Sequence, residues 1–361
     1  MNAVFFEKIK DVKDVWLYLE KKERFDTYQT YDWNFLLYQN RKTSISNLIN
    51  QNTKTYFIVI YEGSIPKCIA PIIEGKIDGK KYIRLLGHGT ATGYLDFVYT
   101  KDTTHGEIQY CINCLKKRFE NYNFEFSELC SNSLLYRQLL KDDLEFISQN
   151  RRECYAIKLS GTYNDYFKSL SKSVRQNIRT SYNHLASDQM EYQFKIYNYA
   201  DNISNKLEKQ LYHIYTKRRE EWGEDKKNNR LLKIYKRLRG QNRDIVFQSL
   251  NHIKESCVGV LFIHNQPAAF LIGYKNENTL IVPRLAIDTT FARYSPGGIL
   301  LIEYIKYLYD NKMVGGKYVF DLSRGNEKYK SSYGGILFYT ETITFRQRSS
   351  HGENKHYSSN L

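Results

Sequence analysis

The chain has 361 residues, room for two domains that each bury a core. Lys and Arg number 54 against 39 Asp and Glu, a formal charge of +15 that draws anions: phosphorylated small molecules, acidic lipid headgroups or nucleic acid. With 42% hydrophobic residues, five prolines, no apolar run near the ~20 residues of a spanning helix and no Arg-rich tail, the sequence argues against disordered, membrane-spanning and DNA-binding classes.

The first residues, MNAVFFEKIKDVKDVW, hold no apolar stretch of signal length. A cytoplasmic protein is expected, with at most a peripheral contact at the inner membrane face. Periodicity predicts helices at about 12–22 and 33–48. Strands follow: TYFIVIYEG (55–63) and PKCIAPIIEG (66–75) around a hairpin-like SIP, then KYIRLLG (81–87). A helix at about 104–120 leads to FEFSEL (124–129). That helix carries Cys111 and Cys114, two of six cysteines. No second pair stands at zinc spacing, so packed thiols and no metal are expected.

The second part repeats the order. CVGVLFIH (257–264) and AAFLIGY (268–274) flank NQP, TLIVPRLAI (279–287) is the next strand, and a helix at about 298–312 leads to KYVFDL (317–322). A last strand, LFYTETITF, spans 337–345. Hairpin, strand, helix, strand occurs twice without close identity. The expected fold is α/β (α+β), two tandem copies of one unit, each a mixed, mainly antiparallel twisted sheet flanked by helices. The expected bounds are 1–160 for the first domain, 161–346 for the second, including a helical stretch at 163–240, and a frayed tail at 347–361.

Pro283 falls inside the third strand of the second copy, which argues for an edge or a bulge. A bulge there would splay two strands and open a slot. Directly after that strand comes DTTFARYSPGG and then the helix. Gly297 and Gly298 let bare amides at a helix start approach a phosphate, Pro296 fixes the turn, and Arg293 adds charge. The loop is neither a Walker loop nor GxGxxG. Taken alone it also reads as an ordinary Ser-Pro helix start with Ser295 as N-cap.

Five stretches, in order, resemble a known family: YQTYDWNFLLY (28–38), IRLLGHGTATGYLDFV (83–98), YFKSLSKSVRQNIRTSYNHL (166–185), YSPGGILLIEYI (294–305) and, most specific, FDLSRGNEKYKSSYG (320–334). Together they are similar to the GNAT-type acyltransferases of the CelD/BioF-like group, relatives of the FemABX peptidyl transferases. The resemblance spans roughly 25–346. It implies tandem GNAT domains with acyl-CoA, acetyl-CoA in the first instance, held by the second through Ala286, Ile287, Arg293, Tyr294, Ser295, Gly297 and Gly298. It implies transfer of an acyl group to an amine in cell-envelope or exopolysaccharide assembly.

Such a transfer needs a proton acceptor for the amine, a donor to the carbonyl oxygen and a proton for the leaving thiolate. Asp321 at the end of KYVFDL is the expected base or orienting carboxylate, Glu327 its competitor, and Tyr329 the donor to sulfur. A structural Asp321–Arg324 pair bracing the turn is the other reading. Asp96 and His88 are candidates for acceptor binding and proton transfer, or plain loop residues. Arg175 and Arg179, four apart on one helix face, with Arg324, Lys330 and Trp33, are the expected substrate contacts, the alternative being a solvated face. Trp222 reads as core or as a stacking residue. The acceptor so expected is a phosphorylated or nucleotide-linked amino sugar. A FemABX-like transferase using aminoacyl-tRNA on a peptidoglycan precursor stands as the alternative, and a non-enzymatic nucleic-acid or membrane-surface binder as the third.

Overall fold

The computed structural model describes residues 1–43, 54–221 and 244–347. The first half places β1 (Asn2–Phe6), α1 (Lys13–Lys22), α2 (Tyr31–Thr43), β2 (Thr55–Glu62), β3 (Ile65–Ile77), β4 (Lys80–Leu85), β5 (Val98–Tyr99), α3 (His105–Arg118), β6 (Asn123–Cys130), α4 (Leu134–Leu139) and β7 (Leu144–Leu159). The second places α5 (Tyr163–Ser169), α6 (Lys172–Ser187), β8 (Tyr192–Asn198), α7 (Asn205–Glu221), α8 (Ile245–Ser249), β9 (Ser256–Ile263), β10 (Gln266–Asn276), β11 (Thr279–Ile287), α9 (Pro296–Asp310), β12 (Tyr318–Arg324), α10 (Lys328–Ser332) and β13 (Ile336–Gln347). The architecture is mixed α/β, a mainly antiparallel sheet flanked by helices.

One sheet runs through both halves in the order β1-β2-β3-β4-β6-β13-β7-β12-β11-β10-β9-β8, with β5 on β3. The repeated unit is visible in it. β2–β3–β4–α3–β6 corresponds to β9–β10–β11–α9–β12, and each copy contains one parallel pair, β4 with β6 and β11 with β12. The hairpin strands β2, β3, β9 and β10 are buried on both faces over most of their length, which is why their sequences read as near-continuous apolar runs. On one face each half has its own core: α3 and α4 cover Ile58, Ile72 and Phe126, and α5, α6 and α9 cover Leu261, Leu271 and Phe320. The opposite face is shared. There Trp16 and Trp33 of the first half and Leu211 and Phe247 of the second belong to one cluster.

The halves also exchange their last strands. β7 leaves the first half to pair with β12 (Tyr318↔Leu159 to Asp321↔Ala156), while β13 returns from the second to pair with β6 (Thr340↔Cys130 to Phe345↔Phe124). β7 and β13 then pair with each other from Ile336↔Ala156 to Gln347↔Leu144. β1, β7 and β8 are strands the sequence reading did not predict. β7 is polar and exposed from Phe146 to Arg152, so it offers no apolar periodicity. β8, YQFKIYN, lies inside the stretch expected to be helical; its alternation is that of an edge strand. The remainder of that stretch, 222–243 with Trp222, and the tail from 348 lie outside the described residues.

The exchange makes each core depend on the other half's chain. Ile343 is fully buried among first-half residues. Ile343→Ala is expected to cost about 2–5 kcal/mol and to lower one common unfolding transition, followed by circular dichroism and by tryptophan fluorescence in denaturant. Two separate transitions would show the halves to be energetically independent.

Candidate active site

β11 and β12 run together only for three residues, ending at Ile281↔Asp321. Beyond that point both strands deform. The β10–β11 register slips between Ile272 and Tyr274, opposite Pro283, and β12 is bulged against β7 with Ser323 at φ 56. β11 keeps its pairing with β10 as far as Ile287↔Ala269, so its edge toward β12 is left open. The slot expected from Pro283 is therefore present. Its cleft is lined by Val282, Pro283, Arg284 and Leu285 on one side and Leu322, Ser323 and Arg324 on the other, with Tyr28 and Tyr94 from the first half.

On the α9 side of this slot lies the helix mouth. Ser295 adopts φ 47 and makes no capping hydrogen bond, and no acidic residue occupies the first turn. Among the described residues the Gly297 amide finds no acceptor, and the Gly298 amide closes back on the Ser295 carbonyl at 2.9 Å. A Cβ on Gly298 would collide with the Tyr333 hydroxyl, and one on Gly297 would meet the Ile287 side chain at 3.1 Å. The corresponding helix of the first half is closed by its own carboxylate. Glu107 accepts from the Thr104 amide at 2.5 Å and the Thr104 hydroxyl at 2.8 Å, and also meets Lys67. The second helix start has no such carboxylate, and its Gly297 amide is left without an acceptor among the described residues.

On the opposite side of the slot, Asp321 is buried, 6% exposed. Its carboxylate accepts from the Tyr94 hydroxyl (2.6 Å) and the Ser323 amide (2.7 Å). Burial pushes its pKa up to about 6 against these two hydrogen bonds, and Asp26 raises it further. Arg324 does not pair with Asp321; it donates to Glu128 (2.6 Å) and to the Thr90 carbonyl (2.8 Å), tying the turn to the first half. Tyr94 was missed in the sequence. It sits at φ 49 in the Gly-rich loop and its ring lines the slot and two neighbouring cavities, one toward Asp321 and Asp26 and one toward Asp96.

The remaining candidates separate. Glu327 and Tyr329 line the slot; burial holds the Tyr329 phenol well above its ordinary pKa. Lys330 is buried and donates to the Arg324 carbonyl at 2.6 Å and pairs with Glu327 at 3.0 Å, a staple under the turn. Asp96 lies one cavity away, accepting from the Phe97 amide and the Tyr99 hydroxyl, both at 2.7 Å, and burial pushes it up to about 7. His88 is in the first copy, on the Ser127 hydroxyl at 2.9 Å; burial lowers its pKa. Trp33 is fully buried and donates to Thr92, so it is a core residue and touches no cleft. Arg175 caps α5 through the Lys168 and Leu170 carbonyls, both at 2.6 Å. Its helix, with exposed Arg179, packs beside α9, the face away from Asp321. Arg293 forks onto Asp188 (2.7 and 3.3 Å), and Tyr294 donates to the same carboxylate. Ile287 faces α9 and Ala286 the shared core, so what Ala286 offers the slot is backbone. All six cysteines are free, and no three metal-ligating side chains gather among the described residues. No helix there is long and apolar enough to cross a membrane.

Residues 172–331, which include the open helix mouth, the parted strands and Asp321, match the acetyltransferase (GNAT) domain family. The match lies within the second half of the chain and supports an acyltransferase. No curated protein sequence matches it. Among solved structures, a conserved protein of unknown function from Bacteroides thetaiotaomicron is similar over 96% of this chain and 100% of its own, at 14% identity and a TM-score of 0.56. The C-terminal domain of a putative lysylphosphatidylglycerol synthetase from Agrobacterium fabrum is similar over 93% and 92%, at 9% identity and 0.53. FemX is similar over 95% and 97%, at 10% identity and 0.48. At these identities the first two likenesses concern the fold alone.

The raised pKa of Asp321 has a thermodynamic counterpart. The folded state holds the proton more tightly than the unfolded chain, so the ionised carboxylate costs stability above about pH 6, and the cost vanishes below about pH 4. Asp321→Asn keeps an acceptor oxygen without the charge. It is expected to be more stable than the parent near pH 8, by up to about 3 kcal/mol, and equal to it near pH 4. Denaturation across that range checks it; a variant less stable at pH 8 would mean that the ionised carboxylate is favourably held.

Proposed function

We propose that the chain transfers an acyl group, acetyl in the simplest case, from acyl-CoA to the amine of an amino sugar. The acceptor is nucleotide-linked, and the product serves cell-envelope or surface polysaccharide synthesis at the cytoplasmic face of the membrane. The observation that carries the reading is the splayed strand pair, with a buried carboxylate at the point of parting and, directly after β11, a helix start that no side chain caps. The orphan Gly297 amide and the carboxylate-free first turn suit a diphosphate, with Ser295 at the helix start. The open edge of β11 from Val282 to Ile287 offers main-chain donors and acceptors to an extended chain. The tyrosines at 28, 94, 215 and 329, which line the slot, suit a polyhydroxylated ring.

Bound acyl-CoA would supply the activated acyl group. The chain's own residues handle protons. Tyr94 touches the slot and is hydrogen-bonded to Asp321 behind it. The phenol therefore takes the amine's proton as it passes its own to the carboxylate. With a pKa of about 6, Asp321 is ionised at neutral pH yet a stronger base than an ordinary aspartate. Tyr329 lines the slot and holds its hydroxyl proton through burial, which suits it as the donor to the departing sulfur in this proposal. Glu327, held by Lys330, orients the turn that carries it.

Three outcomes follow. Acetyl-CoA is expected to raise the melting temperature of the parent protein. Gly298→Ala drives a Cβ against the Tyr333 hydroxyl, so the helix start or that ring must shift, and it is expected to lose that rise and to raise KM for acetyl-CoA at least about tenfold while circular dichroism shows the parent's fold. Asp321→Asn is expected to lower kcat by ~10²–10⁴, measured as thiol release with nucleotide-linked amino sugars, with little change in KM for acetyl-CoA. Unchanged turnover would remove Asp321 from the mechanism. No response to CoA together with tight, salt-dependent tRNA binding would favour peptidyl transfer instead.

A further inference from the structure

The slot holds one donor that neither the proton path nor the turn uses. Carried two residues beyond Ile281↔Asp321, the parallel register of β11 and β12 would set Pro283 against Ser323. This is the level at which the strands part, and both residues line the cleft. Pro283 has no N–H, so β11 presents no main-chain donor at that position. Ser323 stands opposite at φ 56, in the left-handed region that a serine adopts only at a cost. Its main chain is committed on both sides: the amide donates to Asp321 (2.7 Å) and the carbonyl accepts from the Lys330 Nζ (3.4 Å). Its hydroxyl oxygen, by contrast, is buried and has no hydrogen-bond partner among the described residues.

A buried hydroxyl left without a partner is costly, and native proteins keep few of them. The donors around it are already engaged: Tyr94 on Asp321, Arg324 on Glu128 and the Thr90 carbonyl, Lys330 on the carbonyls of the turn and Glu327. Acyl transfer asks for one donor more than the proton path supplies, a group aimed at the thioester oxygen. We propose that the Ser323 hydroxyl donates to the carbonyl oxygen of the acyl thioester, in place of the amide that Pro283 lacks. Rotation about the Cα–Cβ bond, between staggered positions, turns the hydroxyl into the slot while the tethered backbone stays still. As the amine nitrogen bonds to the carbonyl carbon, the C=O electron pair moves onto oxygen. Ser323 stabilises that charge and keeps its own proton, and the pair returns as the C–S bond breaks and sulfur leaves. This rests on the acyl-CoA reading and adds to it the residue that polarises the carbonyl.

The test uses acetyl-CoA and S-ethyl-CoA, its thioether analogue, which lacks the carbonyl oxygen. By calorimetry the parent protein is expected to bind acetyl-CoA about three- to tenfold more tightly than the thioether. Ser323→Gly removes the hydroxyl and adopts the left-handed backbone without strain, so it is expected to melt close to the parent and to bind the two compounds alike. Ser323→Ala, which keeps the Cβ, is expected to lose the same preference. In both variants kcat, measured as thiol release with amino-sugar acceptors, is expected to fall ~10–10³-fold. A parent that binds both compounds alike, or a preference that survives in both variants, overturns the inference and leaves the acyl-CoA reading standing. If the parent binds neither compound, the acyl-CoA reading fails, and the ligand assigned to Ser323 falls with it.

Discussion

The parting of β11 from β12 after Ile281 and Asp321 is the constraint from which the site follows. A parallel pair that continued would satisfy its own edges and leave no room between helix mouth and carboxylate. Proline removes a donor from β11 where the strands separate, and the bulge at Ser323 turns β12 away at the same level. The open edge must then be bonded by something else, and an extended ligand can do so. The exchange of β7 and β13 holds the parting in place, because β12 is secured on its far side by a strand from the other half. Tyr94 closes the arrangement, reaching 227 residues along the chain to Asp321.

The two copies show how one unit is kept closed and the other open. In the first copy the last parallel pair is Arg84↔Glu125, and the two side chains are themselves bonded across the strands, Nε to Oε2 at 2.6 Å. In the second copy the same pair is Ile281↔Asp321. Replacing the arginine by isoleucine leaves a buried carboxylate without a cation opposite it, so desolvation prevails and the carboxyl titrates near neutrality. The helix starts differ in the same sense: Glu107 seals one, and the other has two glycines and no carboxylate in its first turn. One copy has been neutralised by its own side chains, and the other has kept its partners external.

Much of this was legible. The doubled order of hairpin, strand, helix and strand could be read from apolar runs, and Pro283 and Gly297–Gly298 announced a slot and a mouth because proline and glycine act through the backbone, locally. Asp321 stood out in its motif as a candidate, and the structure buries it beside the parting strands. The rest depends on distant partners. Arg175 and Arg293 looked like ligands for phosphate, but carbonyls of α5 and the Asp188 carboxylate take their donors. Trp33 stood in a family segment, yet its burial comes from the shared core. Tyr94 carried no signal beyond a Gly-rich setting, since nothing local tells a tyrosine that bridges two halves from one that fills a loop. The strand exchange was hidden because β7 is polar where both of its neighbours are strands.

The arrangement sets stability against chemistry at one residue. A carboxylate buried at 6% exposure with no cation across from it is a position that packing alone would fill with an amide or an aliphatic side chain. Its two hydrogen bonds reduce the cost but do not remove it, since the pKa remains raised. In the proposed mechanism the raised pKa provides a base strong enough to draw a proton through Tyr94 and weak enough to be ionised before the acceptor arrives. An arginine at position 281 would restore the closed state of the first copy, stabilising the carboxylate and disabling it as a base in one step.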